Sequence, residues 1–255
     1  MDLVNVEKAT MDFGGVRAVD HLDMTVSRRQ IFGIIGPNGS GKTTFFNILT
    51  GIYRPTSGRF FLDGQDITGW PSHRTVQAGI ARTFQNIRLF GNMSLVENVL
   101  VGEHTRLKAT LSGVLLRTRG QKEDEARARK RADELLAFVG LMDKKGEYAA
   151  NLAYGEQRRL ELARAIATEP KLLLLDEPTA GMNPNEAGQI MELIRTIRDN
   201  LEISVVLIEH NMQVMMGVAE RILALAAGAK IAEGTPQEIQ YNQKVIEAYL
   251  GEEEK

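Results

Sequence analysis

Cysteine is absent from this 255-residue sequence, so no disulfide staples the fold, and a chain of that length can bury a sufficient core without one. No stretch reaches the eighteen or so consecutive apolar residues that a membrane-crossing helix needs. The start, Met1-Asp2-Leu3-Val4-Asn5-Val6, lacks a basic-then-apolar export signal, so the chain is expected in the cytoplasm, touching a membrane only through a protein partner. A net charge of −2 and a pI near 6.2 leave no electrostatic footprint for nucleic acid. The four histidines, His21, His73, His104 and His210, have no metal-ligand spacing, which argues against a zinc site. Internal repeats and low-complexity stretches are missing as well. What remains is an ordinary globular composition, 43% hydrophobic and 25% charged, expected to form one large domain or one domain with an appended lobe.

The pattern changes along the chain in an informative order. Val4 and Val6, then Leu22, Met24 and Val26, alternate with polar residues as half-buried antiparallel strands do. Ile31-Phe32-Gly33-Ile34-Ile35 is an unbroken apolar run that ends in a glycine-rich turn and leads into a helix over Lys42 to Thr50. Leu172 to Leu175 and Ser204 to Ile208 have the same look of strands buried on both faces, each followed by a helical stretch, which predicts an α/β core with a parallel sheet. Between about Ala81 and Leu152 the pattern reads as an inserted helical lobe. Within it, Gln121 to Phe138 sets Glu123 four before Arg127 and Glu125 four before Arg129, the pairing of a solvated helix face. Gly234-Thr235-Pro236 marks a last break, after which Val245 to Leu250 predicts a short helix ending in the polar tail Gly251 to Lys255.

The strongest chemical signal is Gly36-Pro37-Asn38-Gly39-Ser40-Gly41-Lys42-Thr43, a phosphate-binding loop with every fixed position filled, between a buried strand and a helix. Its glycines let successive backbone N–H groups turn inward around phosphates, and the helix N-terminus adds positive potential. Lys42 supplies a charge for the outer phosphates, and the Thr43 hydroxyl is a hard oxygen ligand suited to Mg²⁺. Mg²⁺-ATP is thus expected over Gly36 to Thr44, with Thr44 closing the loop. Asp176 and Glu177 end a buried strand, where two adjacent carboxylates are costly without a task. Asp176 would hold the metal through water, and Glu177 would polarise the water that attacks the γ-phosphate. His210, after Leu207-Ile208-Glu209, is placed to hydrogen-bond the transferring phosphate.

These residues resemble the ATP-binding subunits of ABC transporters over nearly the whole chain. The resemblance implies the P-loop NTPase ABC ATPase fold, α/β with a mixed core sheet, an antiparallel β subdomain and the helical lobe. It divides the chain into a nucleotide-binding core at about 1–84 and 168–235, a signature lobe at about 85–167, and a C-terminal helix and tail at 236–255. It makes Phe13, before Gly14-Gly15, the ring that stacks on adenine, and Gln85 the residue that senses Mg²⁺ and the γ-phosphate. It makes Asn151 to Arg159 the signature, whose Ala153, Tyr154, Gly155 and Glu156 would cap the ATP of an opposite subunit. Ala180-Gly181-Met182-Asn183 matches the loop that crosses such a dimer.

Two departures from the family pattern stand out, one in the signature and one in the crossing loop. Ala153 and Tyr154 replace the usual signature serine and first glycine, and Asn183 stands where an aspartate is common. The altered signature beside complete catalytic residues favours a heterodimer with a second ATPase subunit, a homodimer being the other arrangement. Within the family, Gly79 to Phe90, the signature and Ala248-Tyr249-Leu250-Gly251 are most similar to ATP-binding subunits of branched-chain amino-acid importers, with urea and amide importers as neighbours. The implied partners are transmembrane permease subunits, docking on the lobe and Asn86 to Phe90, and indirectly an extracytoplasmic binding protein. The place is the cytoplasmic face of the membrane. An ABC protein of ribosomes or DNA repair would carry two cassettes or a long coiled coil, and a nucleotide-binding regulator would not need Glu177.

Overall fold

Alternating apolar residues at the start of the chain fold as two long antiparallel strands, β1 (Asp2–Phe13) and β2 (Val16–Ser27), whose register sets Val4 against Val26 and Val6 against Met24. Those side chains are buried, as a sheet covered on one face requires. The computed structural model describes residues 2–103 and 119–253. The chain continues through β3 (Ile31–Ile35), α1 (Lys42–Leu49), β4 (Ser57–Leu62), β5 (Gln65–Asp66), α2 (Ser72–Ala78) and β6 (Ile80–Arg82). β4 and β5 complete a four-stranded sheet in the order β2-β1-β4-β5.

Helices α3 (Leu95–Glu103), α4 (Arg119–Phe138) and α5 (Tyr154–Ile166) follow. Alternation then resumes with β7 (Leu172–Asp176), α6 (Pro184–Leu201), β8 (Ser204–Ile208), α7 (Met212–Val218), β9 (Arg221–Ala226), β10 (Ala229–Gly234), α8 (Pro236–Gln240) and α9 (Gln243–Glu253). The second sheet has the order β10-β9-β3-β8-β7-β6, parallel except where β10 runs antiparallel to β9. Every residue of β3, β7 and β8 is buried, which explains sequences that are apolar but for Asp176 and Ser204 at their ends. In register, Asp176 and Ile34 both lie beside Ile208, so the carboxyl ends of these strands line up at one edge, where open α/β sheets bind ligands. The mixed sheet, the antiparallel sheet and the helical segment agree with the expected α/β architecture.

Two compact units result, one of Met1–Gln85 with Lys171–Lys255 and one of Asn86–Pro170. The first contains both sheets. The second packs α3, α4 and α5 on Leu95, Val99, Ala132, Leu136 and Leu160, all fully buried. Gly102 permits the approach of α3 to α5, since a Cβ there would fall 2.3 Å from the Arg164 carbonyl oxygen. The same unit buries Arg158, which ion-pairs Glu161 at 2.7 Å, while desolvation pushes the Glu161 carboxyl up from its ordinary pKa.

Three expectations need correction. Ile80–Arg82 is a strand, not the beginning of a helical stretch, because its N–H and C=O groups find a ready ladder on Leu172 to Leu174; helix begins only at Leu95. On α4, Arg129 pairs with Glu125 at 3.8 Å as spaced, whereas Arg127 takes Asp124 one turn back. The C-terminal helix extends from Gln243 through Glu253, so Gly251 lies inside it and not in a tail. His104 and the last two tail residues lie outside the described residues.

Candidate functional site

The phosphate-loop sequence leaves β3 and wraps a cavity of about 380 Å³ lined by Ala18, Asn38 to Thr44, Gln85, Glu177 and His210. The sequence assigns all of these but Ala18 to one site, and the fold brings them around one cavity. Gly41 is required there: its φ is +98°, and a Cβ would sit 2.3 Å from the Ala18 carbonyl oxygen. Gly36 is equally constrained, since a Cβ would meet the Leu225 carbonyl oxygen at 2.2 Å.

Lys42 is buried at the start of α1, where its ammonium donates to the carbonyls of Gly36 (2.6 Å) and Pro37 (2.8 Å) and to Ser40 Oγ (3.4 Å). A buried cation must be solvated by something, and here loop oxygens occupy the place that phosphate oxygens would take. Glu177 follows β7 at a φ of +49°, a left-handed conformation that costs an L-residue roughly 1 kcal/mol. Its N–H is held by the Ile208 carbonyl, and its carboxylate accepts from Gln85 Nε2 (2.8 Å) and lies 2.6 Å from His210 Nε2. Both carboxylate oxygens are thereby engaged by residues that also face the cavity.

Asp176, one residue earlier, points elsewhere. It is 5% exposed and is not on the cavity wall; its Oδ2 lies 2.7 Å from Arg82, which also donates to Asn47 Oδ1 on α1 at 2.6 Å. The Arg82 guanidinium rests over Phe46 and Phe84, with ring centroids 5.5 and 5.0 Å away. The sequence by itself assigns Arg82 no role; its signal is a cation at a strand end, paired in the fold with a buried carboxylate. Glu209 was also missed. It is buried, accepts from the Thr179 N–H (2.9 Å) and hydroxyl (2.6 Å), and has its carboxyl pKa raised by desolvation.

Phe13 does not line the cavity. Half exposed at the end of β1, its ring meets Tyr53 edge-on at 5.3 Å. In the helical unit, Ala153 occupies the N-cap of α5, where Glu156 accepts from the Ala153 N–H (3.2 Å) and from Lys144 (2.8 Å), which lowers the Glu156 carboxyl pKa. Alanine offers no side-chain acceptor, so only half of the reciprocal cap forms. Tyr154, exposed, and Gly155, half-buried, open the first turn. Asn183 has a local explanation: its side chain accepts from the Asn185 and Glu186 N–H groups at 3.0 Å, and Glu186 returns the contact, a complete cap for α6.

The ABC transporter family profile matches residues 19–180, which span the phosphate loop and Asp176-Glu177. The chain belongs to the ABC transporter family. A profile described as branched-chain amino acid ATP-binding cassette transporter matches residues 229–255. The high-affinity branched-chain amino acid transport ATP-binding proteins LivG of Escherichia coli and BraF of Pseudomonas aeruginosa are each 44% identical over 250 residues, 98% of this chain and of theirs. The lipopolysaccharide export ATP-binding protein LptB of Haemophilus influenzae is 32% identical over 99% of both chains. Among solved structures, the ADP conformation of an ATP-binding cassette of an ABC transporter has a TM-score of 0.86 at 30% identity, over 98% of this chain and 99% of that one. A nucleotide-free cassette gives 0.85 at 29% identity with the same coverage.

This ABC ATPase therefore binds nucleotide and hydrolyses ATP. No helix among the described residues is long and apolar enough to cross a membrane. The site also fits a hard divalent cation. Thr43 and Gln85, which both line the cavity, carry the hydroxyl and amide oxygens that would supply two ligands. Mg²⁺ favours such sparse protein ligation, keeping water and phosphate oxygens as its other ligands.

Proposed function

We propose that this ATPase subunit energises uptake of branched-chain amino acids through separate permease subunits, from the cytoplasmic face of the membrane and paired with a second ATPase subunit. What supports the reading is 44% identity to LivG and BraF along the whole chain, joined to the branched-chain profile on residues 229–255. The catalytic assignment rests on the residues around the cavity. Lys42 leaves the Gly36 and Pro37 carbonyls for phosphate oxygens, and the N–H groups at the N-terminus of α1 would meet the charge that grows in transfer. Thr43 and Gln85 would hold Mg²⁺, which supplies Lewis-acid neutralisation of that charge; Asp176, off the cavity wall and paired with Arg82, would contribute through water alone. Glu177 orients the attacking water once Gln85 or His210 releases an oxygen, and His210 then donates toward the transferred group. Ala153 to Glu156 would present the α5 N-terminus to nucleotide held by the paired subunit.

The test is uptake into vesicles carrying this subunit with the permeases, paired ATPase and binding protein of the same system. Labelled leucine, isoleucine and valine should accumulate with ATP and fail to do so with Lys42→Ala. Accumulation of urea or amides instead would overturn the cargo assignment while leaving the ATPase intact.

A further inference from the structure

Gly36 is the first residue past β3, whose ladder ends at Ile34 beside β8 and at Ile35 beside β9. The residue is buried, so its N–H has left the sheet without reaching water, and such donors need an acceptor. Tyr249 provides it from 213 residues away: the Gly36 N–H donates to its hydroxyl oxygen at 2.9 Å. On the other side of the same residue, the Gly36 carbonyl accepts from Lys42 Nζ at 2.6 Å. Lateral relaxation is blocked, since the space a Cβ would fill is bounded by Leu225 O at 2.2 Å and Ser40 Oγ at 2.6 Å. Tyr249 is itself well seated. Its helix α9 is anchored by buried Val245 and preceded by Asn242, whose side chain accepts from the Lys244 N–H at 3.1 Å.

We propose that Tyr249 is a positioning residue for the phosphate loop, and that its hydroxyl couples docking of α9 to nucleotide binding. When Lys42 turns to a phosphate it gives up the Gly36 carbonyl, and the Tyr249 bond then keeps Gly36 seated. Linkage makes the coupling reciprocal: nucleotide stabilises the docked helix as much as the docked helix favours nucleotide. The proposal rests on nucleotide binding alone and is independent of the transported cargo.

The experiment compares full-length wild type with Tyr249→Phe and with Leu250→Ala, an exposed neighbour on the same helix. Calorimetric titration with Mg²⁺-ADP is combined with hydrogen exchange over residues 36–44 and 243–253. Loss of one hydrogen bond predicts affinity about fivefold weaker in Tyr249→Phe, with Leu250→Ala unchanged. In wild type, ADP should slow exchange in both segments; in Tyr249→Phe it should slow only the loop. Wild-type affinity in Tyr249→Phe, an α9 whose exchange ignores ADP in wild type, or equal weakening by Leu250→Ala would each overturn the proposal. A wild-type chain that binds no nucleotide would instead sink the ATPase assignment.

Discussion

Arg82→Met isolates the contact that holds Asp176. Both side chains are nearly out of water, at 6% and 7% exposure, their ion pair is 2.7 Å long, and the Arg82 guanidinium rests against the rings of Phe46 and Phe84. Removing one member of such a pair leaves the other charge buried and uncompensated, a loss of about 3–5 kcal/mol. Methionine keeps much of the packing against the rings, so the loss is mainly electrostatic. At 2–4 °C per kcal/mol for a unit of this size, the melting midpoint should fall by roughly 6–20 °C. Trp70, the single tryptophan, packs against the core of the unit that carries both residues, so its fluorescence follows urea unfolding there. The decisive comparison is a cycle with Asp176→Asn. The double variant should be more stable than the sum of single losses predicts, by about 2 kcal/mol, because the second change removes the stranded charge. Additivity within about 0.5 kcal/mol would refute the coupling and the account of Arg82 with it.

Glu177→Gln should bind Mg²⁺-ATP with near wild-type affinity yet release little phosphate, because an amide accepts no proton from water; normal turnover in a phosphate-release assay would remove Glu177 from its role. Ala153→Ser should complete the reciprocal cap with Glu156 and stabilise the helical unit by about 1 kcal/mol, read as a raised urea midpoint; an unchanged midpoint would count against the cap geometry. Its ATPase rate, measured alone and with the paired subunit, also tests whether the altered signature matters. Glu209→Gln probes pH. Burial raises the Glu209 pKa in the folded state, so the unfolded chain loses this proton first, and stability declines as pH climbs from the ordinary carboxylate range through the raised value. Glutamine keeps the acceptor for Thr179 and removes that decline, so an identical pH–stability curve for variant and wild type would contradict the assignment.

The central sheet was legible because each buried strand carries its own signature: Ile31 to Ile35, Leu172 to Leu175 and, after Ser204, Val205 to Ile208 are apolar at every position, with no alternation for a solvated face. β6 was not, since three residues hold no period and only the proximity of β7 makes them a strand. At the site, the glycine-lysine spacing and the paired carboxylates can be read locally because their chemistry is local. Arg82 and Tyr249 cannot. Each acts on a residue far along the chain, Asp176 and Gly36 respectively, and only folding creates those distances. Phe13 is the converse case, a position marked by resemblance whose ring meets Tyr53 and not the cavity.

The internal solvation of Lys42 bears on which anions the loop admits. An arriving anion does not fall into an open positive hole; it has to outcompete the Gly36 and Pro37 carbonyls and Ser40 Oγ for the ammonium. A lone orthophosphate offers one cluster of oxygens in exchange and gains little. A di- or triphosphate chain reaches the N–H groups farther round the loop at the same time, so its gain exceeds the loss. The loop therefore filters by ligand length as well as by charge, and inorganic phosphate should displace ADP poorly in a competition titration.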